Sequence, residues 1–123
     1  MVFISGIAIG QWNQVCKKKE GNHRTRYKIA RAICLGDVKH VYKSNDYIIR
    51  YYDINLLIDR TGCVMVVWRD TTRPIVDVSE SFKNYFDSVL TYSEVISMAN
   101  FTHKVIQEEI KLARVEQRGD KIA

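Results

Sequence analysis

The side chains best equipped for chemistry in this chain are arginines set among aromatics. Arg24, Arg26, Lys28 and Arg31 surround Tyr27, and Arg50 sits among Tyr47, Tyr51 and Tyr52. Arg69 and Arg73 flank the end of the run that carries Trp68. Guanidinium groups grip phosphate oxygens bidentately, and aromatic faces stack on bases for about 1–3 kcal/mol each. These are the residue types that a nucleotide or nucleic-acid site needs. Arg24, Arg26, Tyr27, Arg31, Arg50, Arg69 and Arg73 are therefore the expected ligand-binding set. The charge distribution points the same way. Residues 1–50 carry ten Lys/Arg against three acids, a net of +7, whereas residues 51–123 carry nine against eleven, a net of −2. A basic half suits a phosphate-bearing or polyanionic partner, and equally a solvated surface that keeps the protein dispersed. Tyrosines also fit a half-buried pleat, so most of the seven are expected to be structural.

Other chemistries find no support. His23, His40 and His103 are scattered, and no His/Cys/carboxylate group has metal-ligand spacing, so no metal or other cofactor is expected. Glu108-Glu109, with Lys104 and Lys111 nearby, has the pattern of a solvated helix face and not of a general acid and base. Gly6 and Gly10 lack the following Lys-Ser/Thr of a phosphate loop, and there is no Gly-x-Ser-x-Gly elbow. Cys16, Cys34 and Cys63 are odd in number and lack C-x-x-C spacing, which reads as reduced, buried thiols in a cytoplasmic protein. No apolar run approaches the roughly 20 residues that span a bilayer, and residues 1–9 lack a basic n-region, so neither membrane insertion nor secretion is expected.

The elements that must position the arginines centre on residues 47–69. Two β-branched and aromatic runs, Tyr47–Ile58 and Cys63–Arg69, are separated by Asp59-Arg60-Thr61-Gly62. Asp first and Gly last is the chemistry of a type I turn closed by a left-handed glycine, a hairpin loop with a bulge. The register it implies sets Ile54, Leu56 and Ile58 on one face with Trp68, Val66 and Val64, and Asp53 opposite Arg69. Trp68 is then a core residue.

Before the hairpin, Val2–Ile9 reads as a strand that Gln11–Cys16 continues, with Trp12 and Val15 as core candidates. His23–Leu35 fits a helix with Asn22 as N-cap, Gly36 just past its end, Ile29, Ala30 and Ile33 inward, and Arg24, Lys28 and Arg31 as an outer basic stripe. It also fits a strand pairing back on Gln11–Lys18; the two caps and the Ala-Arg-Ala centre favour the helix. Asp37–Lys43 is a strand or connector, and Ser44-Asn45-Asp46 a turn.

After Pro74 the pattern turns helical. Ser79 caps a helix to Leu90 with Phe82, Tyr85, Phe86 and Val89 at helical spacing, and Ser93 caps a longer one to about Gln117. Ile96, Ala99, His103, Ile106, Ile110, Ala113 and Gln117 form a heptad-like seam there, widened by Val95, Val105 and Leu112. That surface is enough for the sheet and for a partner helix, so a homodimer through the C-terminal helices is expected. The whole is a single α+β domain, residues 1–123: an antiparallel sheet around the 47–69 hairpin with two C-terminal helices packed on one face.

His23-Arg24-Thr25-Arg26, the hairpin and Gly62-Cys-Val-Met-Val-Val-Trp68 resemble the small RNase toxins of the barnase–EndoU–colicin–RelE group. The resemblance covers residues 23–69. It implies an RNase with His23 as base and Arg24, Arg26 or Arg31 stabilising the phosphorane, although Val66 stands where that family has its catalytic hydroxyl.

Three functional classes follow. The first, favoured by a basic half without a catalytic constellation, is non-enzymatic sequestration or sensing of a nucleotide, as phage or mobile-element counter-defence proteins do, or retention of nucleic acid. The second is the RNase. The third is an inhibitor or immunity protein that meets an acidic protein partner.

Overall fold

A computed structural model describes the backbone of residues 1–122 and the side chains of residues 1–117. The fold is α+β, built on a five-stranded sheet in the order β1-β5-β4-β3-β2. The strands are β1 (Phe3–Ile4), β2 (Asp37–Val41), β3 (Tyr47–Tyr51), β4 (Ile54–Ile58) and β5 (Cys63–Arg69). Helices α1 (Gly6–Val15), α2 (Asn22–Leu35) and α4 (Tyr92–Ile122) are joined by a short α3 (Glu80–Ser88). The sheet is mixed, because β1 runs parallel to β5 while the other pairings are antiparallel.

The expected N-terminal strand stops after two residues. Ser5 accepts a hydrogen bond from the Ala8 amide at 3.1 Å, an N-cap, and its hydroxyl donates to the Val64 carbonyl at 2.9 Å. The apolar residues that follow then bury at helical spacing, Ala8, Ile9 and Trp12. Residues 11–15 are thus helix and not sheet, though Trp12 is core as expected. His23–Leu35 is helical, with Ile29, Ala30 and Ile33 fully buried; its N-cap is Gly21 and not Asn22.

The run Tyr47–Ile58 is two strands and not one. It folds back at Tyr52-Asp53, where Tyr52 takes a left-handed φ of 55°. That conformation is unfavourable for a bulky side chain. It is held from outside: the Tyr52 amide donates to the Val76 carbonyl at 3.1 Å and the Val76 amide returns the bond at 3.0 Å. The Asp59–Gly62 turn forms as its residues dictate. Asp59 accepts from the Thr61 and Cys63 amides, and Gly62 has φ 99°.

The register of the β4–β5 hairpin differs from expectation beyond its first pair. Ile58 faces Val64, but a bulge at Met65 then shifts β5 by one, so that Leu56 faces Val67 and Asn55 faces Trp68. Leu56 and Val67 point to the helices and are buried. Trp68 moves to the opposite, open face of the sheet and is half-buried there.

Tyr47, Ile49, Leu56, Ile58 and Val64 meet Ile29, Ile33, Val95 and Ala99 in the core. Ser79 caps α3 as expected, but of its four apolar residues only Phe86 is buried. The cap of α4 is Thr91 and not Ser93. Thr91 and Glu94 form a reciprocal capping box, with bonds of 3.2 and 3.0 Å. The thiols are free, and none is fully buried as expected: Cys16 is exposed and Cys34 and Cys63 are half-buried.

His103 is the polar member of the α4 core. Its Nε2 donates to the Arg60 carbonyl at 3.1 Å, and in the neutral ring that burial favours Nδ1 accepts from the Tyr47 hydroxyl at 2.6 Å. Burial pushes His103 below its ordinary value of 6.5. A depressed folded value means that its contribution to stability is present in full above pH 6.5 and is lost as pH falls through the folded value. The urea midpoint is expected to decline from about pH 7 to about pH 5, and a His103→Leu variant to lack that part of the decline.

Candidate functional site

The open face of the sheet carries a cavity of about 560 Å³. Its floor comes from β3 and β4 through Ile48, Arg50 and Asn55, and from Trp68 of β5. The edge strand β2 and the residue after it supply Lys39, His40 and Tyr42. The segment 70–76, tied down by the Tyr52–Val76 bridge, supplies Asp70, Arg73, Pro74 and Ile75.

Arg50 organises this cavity. It is 3% exposed, yet none of its contacts is a carboxylate. Nε donates to the Pro74 carbonyl at 3.0 Å, and Nη2 to the carbonyls of Asp70 and Arg73 at 2.9 and 3.0 Å. Nη1 donates once, to Asn55 Oδ1 at 3.1 Å. A guanidinium has five N–H groups. One N–H of Nη1 is therefore left over, and no carboxylate is hydrogen-bonded to the guanidinium, although the Asp70 carboxylate lies close enough to feel its charge. The guanidinium thus presents a free donor at the floor of a cavity whose rim also carries the ionised Asp70.

The other cations of the cavity are already engaged. Lys39 lies 3.8 Å from Asp37 and Arg73 lies 3.8 Å from Asp70, both at exposed positions where such pairs yield readily to a ligand. The Thr72 hydroxyl and amide hold the Asp70 carboxyl below its usual range, so it stays ionised and shapes the 70–73 turn. Aromatic surface comes from Trp68, Tyr42 and His40; the last two meet edge-to-face at 4.4 Å between ring centres. The arrangement provides a fixed cation, two displaceable ones and stacking faces around one volume.

The structure divides the seven residues expected from the sequence. Arg50 and Arg73 share the open-face cavity. Arg24 and Tyr27 line a smaller depression of about 210 Å³ with His23, Asp87, Leu90 and Tyr92. Arg31 is buried beside it, its Nη1 2.6 Å from Asp87, which also accepts from the Tyr27 hydroxyl. This corrects the outer basic stripe on α2: Arg31 is spent on Asp87, and Lys28 is bound to Glu20 at 2.6 Å. Arg24 lies over the Tyr27 ring and 3.9 Å from Glu20. Arg69 pairs with Asp53 at 3.1 Å as the sequence implied, but diagonally, because the shifted register sets Arg69 opposite Ile54. Arg26 is half-buried and lines neither cavity.

His23 stacks on Tyr92 of α4 at 3.9 Å, on the helical side of the molecule. Lys39, His40, Tyr42, Asn55 and Trp68 are the cavity residues that sequence reasoning missed. One signal was available: Asn55 is a lone amide inside Ile-Asn-Leu-Leu-Ile, and Arg50 a lone cation inside Tyr-Ile-Ile-Arg-Tyr. Both mark strand positions that turn away from an apolar core.

Comparison with protein families, with characterised proteins and with solved structures finds no match to this chain. No group of three or more His, Cys, Asp or Glu side chains that could hold a metal occurs among the described residues. No helix among them is long and apolar enough to cross a membrane.

Proposed function

We propose that this protein binds a phosphate-bearing ligand, a nucleotide above all, in the open-face cavity, and sequesters or senses it without transforming it. The observation that carries this reading is Arg50: a buried guanidinium with no carboxylate hydrogen-bonded to it among the described residues, one N–H left over, at the floor of a cavity that also holds Trp68. Burying a cation without a bonded anion is costly. A phosphate oxygen at Nη1 offsets that cost, while a base stacks on Trp68 and Arg73 and Lys39 swing in from the rim. For partners, we propose such a nucleotide here and a second copy of the chain along α4, where Phe101, Leu112 and Val115 stand exposed.

Melting curves against a panel of linear and cyclic nucleotides and short RNA test the ligand. A ligand at about 100 times its Kd stabilises the native state by about 2.7 kcal/mol. Trp12 is buried in the core, so a ligand-induced change in tryptophan emission reports Trp68. The expected result is a melting shift and an emission change with one nucleotide, both persisting at high salt, as a compact pocket requires and a polymer interface does not. Trp68→Leu is expected to weaken that binding by about tenfold or more, the equivalent of one lost stacking contact, with little change in the melting temperature of the free protein. Absence of a shift with every nucleotide overturns the reading. RNA degraded in the same incubation would redirect attention to His23 and Arg24.

A further inference from the structure

Helix α4 carries two apolar stripes, and only one is used within the chain. The inner stripe, Val95, Ala99, His103, Ile106 and Ile110, is buried against the domain; it follows the seam expected from the sequence except that Val95 takes the place of Ile96, which is half-buried. Polar anchors fix this orientation. Asn100 accepts from the Val2 amide at 2.6 Å, Gln107 donates to the Asn45 carbonyl at 3.0 Å, and Arg114 donates to Asn45 Oδ1 at 2.9 Å. The seam is therefore not free for a partner, and its last members, Ala113 and Gln117, are exposed.

The outer stripe is Met98, Phe101, Val105, Glu108, Leu112 and Val115. Its spacing alternates three and four throughout, a heptad pattern on the side of the helix opposite the core. Phe101 is 68% exposed, Leu112 62% and Val115 60%. A row of large apolar side chains with this exposure is not explained by the monomer.

The flanking charges identify what covers it. Thr102, Glu109 and Glu116 run along one edge of the stripe, and Lys104 and Lys111 along the other. In a parallel, in-register pair of helices, each residue on the second edge meets the partner's residue five positions later on the first. Lys104 then meets Glu109 of the partner subunit, and Lys111 meets Glu116 of the partner subunit; symmetry repeats both contacts. In an antiparallel pair the same edges set lysine against lysine and glutamate against glutamate. We infer that two copies of the chain associate through the outer stripe of α4 as a parallel, in-register two-stranded coiled coil. This rests on the self-association reading above and supplies its surface, direction and register.

Glu108 is the weak point of the seam, because the two-fold axis places it against its own copy. Its neighbour Lys111, at 3.9 Å in the same helix, screens it. The dimer is accordingly a reversible one, and Glu108→Leu tightens it.

Sedimentation equilibrium on the full chain tests this. Self-association of the native protein is expected to weaken by about tenfold in Lys111→Glu, which turns two attractive contacts into two repulsive ones, and to recover in Lys111→Glu/Glu116→Lys. Both positions are exposed, so the fold tolerates the changes. Leu112→Cys, in a Cys16→Ser background, is expected to form a disulfide-linked dimer under mild oxidation, since only the parallel arrangement sets residue 112 against itself. A monomer at every concentration overturns the dimer altogether. A dimer that neither cross-links at 112 nor recovers in the double variant overturns the parallel coiled coil alone.

Discussion

Replacing Arg50 with alanine is expected to lower folding stability by about 3–5 kcal/mol, read as a fall in the urea midpoint at unchanged slope. The truncation removes four charge-assisted hydrogen bonds at once. It leaves the carbonyls of Asp70, Arg73 and Pro74 and the Asn55 amide oxygen without their donor. Buried acceptors stripped of a charged donor are among the most damaging changes a fold can suffer, and water entering through the cavity restores only part of the loss. Arg50→Lys is expected to fall between the two: one ammonium retains the charge but does not reach four acceptors arrayed around a planar fork. Segment 70–76 should become accessible to protease in both variants, because Arg50 is its main tie to the sheet. A stability unchanged in Arg50→Ala would show that the segment is held by the Tyr52–Val76 bridge and the bond from the Asp70 amide to the Asp53 carbonyl. It would also remove the physical basis of the proposed ligand site.

The second large effect is expected at Gly36. Its position after α2 suggests a left-handed C-cap, for which asparagine is a good substitute. The backbone is instead extended there, with φ −81° and ψ 176°, which any residue adopts. What demands glycine is space. A Cβ would lie 2.6 Å from Ile49 Cγ2, 2.7 Å from the Arg50 carbonyl oxygen and 2.9 Å from the Ala32 carbonyl oxygen. Two of these three atoms are backbone and cannot rotate away. Gly36→Ala is expected to cost about 3 kcal/mol, the upper end for overpacking, and Gly36→Asn at least as much. A thermal melt distinguishes the two explanations, since a cap would tolerate asparagine. The strain falls on β3 at Arg50, so weakened ligand binding should accompany it.

Several elements were legible in the chain because their causes are local. The Asp59–Gly62 turn needs only an aspartate to accept neighbouring amides and a glycine to take a positive φ. Helix α2 was only favoured over a strand, by its Ala-Arg-Ala centre and flanking cap residues, whereas the α3 cap follows from Ser79. The candidate site was legible in part. Arg50 and Arg73 were recognised as phosphate-binding types, but nothing local separated them from Arg31, and only the Asp53 implied by the hairpin marked off Arg69. Those two have the same chemistry and are neutralised by Asp87 and Asp53.

The sequence by itself determined an α+β chain organised on the residues around the 59–62 turn, with a basic N-terminal half and a long apolar-striped final helix. Only the tertiary structure decided which cation stays without a bonded carboxylate, which stripe of α4 is left over and which face of the sheet Trp68 occupies. The bulge at Met65 turns Trp68 outward, and the bridge to Val76 holds Tyr52 in a conformation that its own side chain disfavours. Both depend on partners distant in sequence. Turns and helix caps are set by bonds among neighbouring residues, whereas register, pairing of charges and close approach are set by whichever segments the folded core brings together.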